Sequence, residues 1–156
     1  MVLNEKEFTL ILPKFDNEGN PISDSVLQDV AEKISKRFGG VTVIPDVLGC
    51  WHNDKTNELQ CENNARILVG RDCESKITKY LMKKENKTCD EIMEDDSVFM
   101  KNLAREVGVE LGQSGIFLTE DIANISEIKG KWSPEVIPQL RRRWKSDEIN
   151  WFSRKL

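Results

Sequence analysis

The stretch from Leu59 to Val69 constrains this chain more than any other. Leu59, Cys61, Ala65, Ile67 and Val69 fall on one side of an extended strand, and Gln60, Glu62, Asn64 and Arg66 on the other. A period of two with one apolar side requires a sheet with one buried face and one wet face, which an antiparallel sheet with helices on one side provides. Asn53-Asp54-Lys55-Thr56-Asn57 precedes it as a hairpin loop. The partner strand starts at the β-branched run Val41-Thr42-Val43-Ile44, is bent at Pro45-Asp46 and resumes at Gly49-Cys50-Trp51-His52.

The neighbouring segments follow from the same periodicities. Phe8 to Leu12 is a short apolar run stopped by Pro13, and reads as a strand. A turn-rich loop, Asp16 to Pro21, leads to a helix on which Val26, Leu27, Val30, Ala31, Ile34 and Phe38 recur every three or four residues. Ser25 with Gln28 is the expected capping box, and Gly39-Gly40 the stop. A short helix is expected over residues 74–84, and a longer one from Asp90 or Asp96 to Val107 with Ile92, Phe99, Leu103 and Val107 as its stripe. Ser114 to Thr119 is the last expected strand. The order β-α-β-β-α-β with one inserted helix predicts an α+β, ferredoxin-like antiparallel sheet with both crossover helices on one face. Its expected core is Phe8, Leu10 or Ile11, Leu27, Ile34, Ile67, Val69, Phe99 and Leu103.

At 156 residues the chain fits one ordinary domain. Residues 1–120 form the expected ferredoxin-like domain and 121–156 a basic, Trp-rich helical extension packed on it or on a partner. The net charge of −4 is unevenly spread. From Lys129 onward eight cations meet three anions, giving +5 and leaving −9 for the rest. No run approaches the roughly 20 apolar residues of a membrane span, and residues 5–7 are charged where a secretory signal is apolar. A cytoplasmic location is therefore expected, with Cys50, Cys61, Cys73 and Cys89 as thiols.

Phe38-Gly39-Gly40-Val41-Thr42-Val43, then Gly49-Cys50-Trp51, then Leu111-Gly112-Gln113 leading into a strand resembles a group of short, uncharacterised bacterial and phage proteins. The resemblance implies a ferredoxin-like fold over Phe8 to Thr119 and brings no catalytic residues. It does not extend over the insertion at 74–96 or the segment after Glu120.

Cys50, His52 and Cys61 have the chemistry of soft-metal ligands, and strand register decides whether they meet. In one register Cys50 faces Cys61 and His52 faces Leu59. In the other Trp51 faces Leu59, Gly49 faces Cys61, and the indole gains about 1.5–3 kcal/mol from burial. The second register is expected, with no metal, no cofactor and cysteines acting as small apolar side chains. His52, the single histidine, reads as a solvated hairpin residue, and Glu91, Glu94, Asp95 and Asp96 as acids offsetting a helix dipole. The expected partner-binding residues are Trp132, Arg141, Arg142, Arg143, Trp144 and Trp151, because Trp and Arg dominate interface hot spots. The function expected from these features is a small non-catalytic interaction module, a homodimer joined through its sheet and its C-terminal extension. The alternative is a nucleic-acid-associated protein, or a nuclease or toxin-like enzyme, holding phosphates with that extension.

Overall fold

The computed structural model describes residues 5–113 and 115–123. The chain runs β1 (Glu5–Pro13), α1 (Asp24–Phe38), β2 (Thr42–Asn53), β3 (Glu58–Arg71), α2 (Lys76–Glu85), α3 (Cys89–Glu110) and β4 (Phe117–Ala123). The strands form one antiparallel sheet in the order β2-β3-β1-β4. The fold is α+β, and α2 makes its element order differ from a plain β-α-β-β-α-β. The fourth strand lies later than Ser114–Thr119, because Phe117 rather than Ser114 opens the pairing with Ile11.

Phe8, Leu10, Leu12, Ala65, Ile67 and Val69 point to one face and meet Leu27, Val30, Ile34 and Phe38 of α1 and Met100, Leu103 and Val107 of α3. Of the expected core, Phe99 is only partly buried against this cluster, and Leu10 rather than Ile11 faces inward. Helix α1 is capped by Ser23, whose hydroxyl accepts from the Ser25 N–H, so the expected Ser25–Gln28 box lies inside the helix. Asp24 is already helical, which fixes the cap one residue before it. Gly39 closes α1 at φ +91, where a side-chain Cβ would sit 2.9 Å from Ile77 Cγ2. Thr88 and Glu91 form the capping box of α3.

The β2–β3 register is the one in which Cys50 faces Cys61 and His52 faces Leu59, correcting the expectation of Trp51 opposite Leu59. Pro45 and Asp46 together oppose Ala65 as a bulge, which resets the side-chain alternation of β2. Pairing with β1 stops at Asn64, so Leu48–Asn53 and Glu58–Asn63 continue as a two-stranded arm of about 20 Å. The helices do not cover this arm, and Trp51 stays 46% exposed. The burial on which the other register depended therefore does not occur there.

The cysteines are not thiols. Disulfides join Cys50 to Cys61 across the arm and Cys73 to Cys89 between the end of β3 and the start of α3. Both members of the possible ligand pair are consumed by their own bond, and the thiol-based ground for a cytoplasmic location is removed. Among the described residues no helix is long and apolar enough to cross a membrane.

Candidate functional site

The second face of the sheet carries the feature of interest. Cross-strand pairing aligns Ile44, Arg66, Ile11 and Phe117 in one row, and Thr42, Leu68, Thr9 and Thr119 in the next. The described helices pack on the opposite face, leaving Phe117 68% and Ile44 37% exposed. Apart from Arg66 the first row is apolar, and apolar side chains on a sheet face that no described element covers are unfavourable in water and mark a surface that meets something else.

A cleft of about 440 Å³ opens at the end of this row, where β1, β3, β4 and the chain after α3 converge. Ile11, Pro13, Ile116 and Phe117 supply apolar walls, and Glu62, Asn64 and Gln113 the polar groups. Its size and its mixture of apolar wall and few polar groups match small-molecule sites in general.

Local structure holds Asn64 and Gln113 in place, while Glu62 is exposed at the edge. Asn64 is buried, and its Nδ2 donates to the Glu62 carbonyl at 3.3 Å. Gly49 makes room for it, since a Cβ there would lie 2.8 Å from Asn64 Nδ2. Gln113 is drawn back over the end of α3 by its N–H, which donates to the Gly108 carbonyl at 2.8 Å. Its Nε2 donates to Asn17 Oδ1 at 3.2 Å, and Asn17 Nδ2 donates to the Gly112 carbonyl at 3.1 Å. Asn17 belongs to the turn in which Asp16 Oδ1 accepts from the backbone N–H groups of Asn20 and Glu18, at 2.8 and 2.9 Å. Those N–H donors, Asn20 first, hold the Asp16 carboxyl below its ordinary 3.8. At the bulge nearby, Lys14 pairs with Asp46, both largely buried.

The residues singled out by sequence distribute differently. His52 stands at the arm tip, with Asp54 Oδ1 and Asn57 Oδ1 each 3.1 Å from a ring nitrogen. Glu91 belongs to the α3 capping box, and Asp95 pairs with Lys87 at 2.6 Å. Asp96 is no dipole-offsetting surface acid: it lies two turns inside α3, fully buried, and accepts from both Arg71 and Arg37. Trp132, Arg141, Arg142, Arg143, Trp144 and Trp151 lie outside the described residues. Glu62 and Asn64 on β3 and Gln113 after α3 escaped sequence reading because two distant stretches of chain have to meet to bring them together. The one local signal was Asn63-Asn64 breaking the apolar alternation of β3.

The structure thus defines an α+β protein with a helix-backed sheet, a second face that no described element covers and a cleft at its end. No family model and no curated protein matches the sequence, so no sequence family confirms the resemblance drawn from its motifs. Solved structures of similar fold include a phage SAM lyase in complex with S-methyl-5′-thioadenosine, with TM-score 0.49, 14% identity, and 83% of this chain and 92% of that one covered. A divalent cation tolerance protein from Thermus thermophilus is similar at TM-score 0.40 and 10% identity, over 81% of this chain and 87% of that one. A B. subtilis GlnK–ATP complex is similar at TM-score 0.41 and 14% identity, over 78% and 84%. These likenesses concern the fold alone. They correct one expectation, the non-catalytic module: an enzyme, the phage lyase, stands among the similar folds, so the architecture gives no ground for that claim.

Proposed function

We propose that this protein binds a small molecule in the Glu62–Asn64–Gln113 cleft and works as a homo-oligomer, in the simplest case a dimer, whose copies meet on the uncovered sheet face. The observation that carries the reading is the position of the cleft at the end of the row formed by Ile44, Arg66, Ile11 and Phe117, apolar but for Arg66. Covering that row removes Phe117 from water and deepens the cleft beside it. One carboxylate and two amides among apolar walls suit a flat compound, uncharged or cationic, that donates and accepts hydrogen bonds. In this proposal residues 1–120 carry the cleft. Residues 121–156, with Trp132, Arg141, Arg142, Arg143, Trp144 and Trp151, add a second contact to the domain or to a partner copy, supported by their positive charge against the acidic remainder.

The test is thermal shift and native mass measurement on the full chain with a panel of heterocyclic compounds. S-methyl-5′-thioadenosine, the compound named with the similar phage enzyme, is included as a first probe. A compound that raises Tm in the parent and not in Glu62→Gln is the expected result, with mass spectrometry of the mixture reporting any conversion. A parent of monomeric mass that no compound stabilises would overturn the proposal.

A further inference from the structure

Helix α2 presents an unbroken basic face in an acidic protein. At 100° per residue, Lys79, Lys83, Lys76, Tyr80 and Lys84 occupy one continuous arc, and all five are exposed. No acid interrupts it. The opposite side is fixed to the body: Thr78 is fully buried and accepts from Arg71 Nη1 at 3.1 Å, and Ile77 packs on Gly39. Met82 rests on the Cys73–Cys89 pair, which ties both flanks of the helix together. The outward arc is therefore held rigidly toward solvent.

Tyr80 sits within the arc between Lys76 and Lys84, 58% exposed, with Lys84 Nζ 5.8 Å from its ring centroid. Lys79 pairs with Glu74 at 3.1 Å, but both side chains are largely exposed, so that pair exchanges readily for another anion. Lys76 to Lys83 spans about 10 Å along the axis.

We propose that the outward face of α2 binds single-stranded nucleic acid, its lysines holding the phosphate backbone and Tyr80 stacking on a base. The charge is complementary to a phosphate chain, and an exposed ring among cations is what separates a base-stacking surface from a merely solvated one. This does not depend on the small-molecule cleft, which is lined from β3 by Glu62 and Asn64, well before the strand's end at Arg71 where α2 follows.

Fluorescence anisotropy of the full chain with a labelled 20-nucleotide poly-dT is the test. With about three or four phosphates neutralised, a single strand should lose affinity with a slope near −0.7 per phosphate, or about 20- to 50-fold between 50 and 200 mM salt. Lys79→Glu with Lys83→Glu should abolish binding at 50 mM salt, and Tyr80→Ala should weaken it about tenfold while circular dichroism stays that of the parent. Unchanged affinity in the double charge reversal would place any binding elsewhere on the chain and overturn the proposal. So would poly-glutamate competing as well as DNA with no effect of Tyr80→Ala, which would mark the face as one for acidic proteins. No binding at 50 mM salt would overturn it outright.

Discussion

Arg71 and Asp96 face each other across the helix–sheet boundary through two parallel hydrogen bonds, Nε to Oδ2 and Nη2 to Oδ1, both 2.8 Å, and neither side chain reaches solvent. The same guanidinium donates to Thr78 of α2 and to the Arg37 carbonyl of α1, and lies 4.5 Å from the Phe38 ring centroid. Arg37 adds a third bond to Asp96, again at 2.8 Å. One buried carboxylate therefore orients β3 and three helices. Its worth is specificity of arrangement more than net stability, because two charges left water to form the pair.

Removing one partner should be far worse than removing both. Asp96→Ala strands two guanidinium groups and is expected to cost about 3–5 kcal/mol in urea unfolding. A double variant, Arg71→Met with Asp96→Leu, should recover a large part of that loss. A double variant as unstable as the single one would show that the pair contributes more than its orientation of the elements.

Gly39 joins α1 to α2 at a point where no side chain fits, with φ +91 and Ile77 in the way. Gly39→Ala should lower stability by about 1–3 kcal/mol. Adding Ile77→Val should restore part of it by relieving the contact, while the positive φ keeps the rest. Equal unfolding midpoints for Gly39→Ala and the parent would contradict this geometry.

The two disulfides differ in access. Cys50 and Cys61 are exposed on the arm, whereas Cys73 and Cys89 are buried beside Met93. Mild dithiothreitol followed by alkylation and peptide mass spectrometry should label the arm pair first. Amide exchange should then rise over Leu48–Asn53 and Glu58–Asn63 and stay slow at Ile67, since an isolated two-stranded ribbon is marginal in water. Simultaneous labelling of all four cysteines would refute the difference.

Two aspartates should titrate in opposite directions. Asp16 is held below 3.8 by backbone donors, so it adds stability that is present above that value and lost as pH falls through its folded pKa. Burial raises Asp24 above 3.8, partly offset by Lys14, so its ionisation penalises folding once pH rises past that value. Asp24→Asn should therefore help more at pH 7 than at pH 3. Asp16→Asn, which keeps the accepting oxygen but not the charge, should hurt more at pH 7. Carbon-detected NMR titration of both carboxyls checks the two directions directly.

Phe117→Asp should reduce the native mass of the assembly with little change in circular dichroism, because its side chain faces away from the core. An unchanged mass would detach the open face from self-association.

What the sequence determined by itself are the elements whose signal is local. The alternation of β3 from Ala65 to Val69, the stripe of α1 and the glycine stop at Gly39 each depend on residues within a few positions of one another, and each lies where periodicity puts it, whereas Leu59 and Cys61, expected on the same buried side, are exposed on the arm. The sheet with helices on one side follows from those periods, because a strand apolar on one face needs a cover on that face only. The register of β2 depended on a bulge at Pro45-Asp46 and on whether the arm extends past the helices, and an argument from burial fails where nothing is there to bury against. Asp96 looked like its acidic neighbours because its partner, Arg71, lies 25 positions away on another element. The cleft is of the same kind: Ile11, Glu62, Asn64 and Gln113 come from three distant stretches of chain, and only the closing of the sheet brings them to one place.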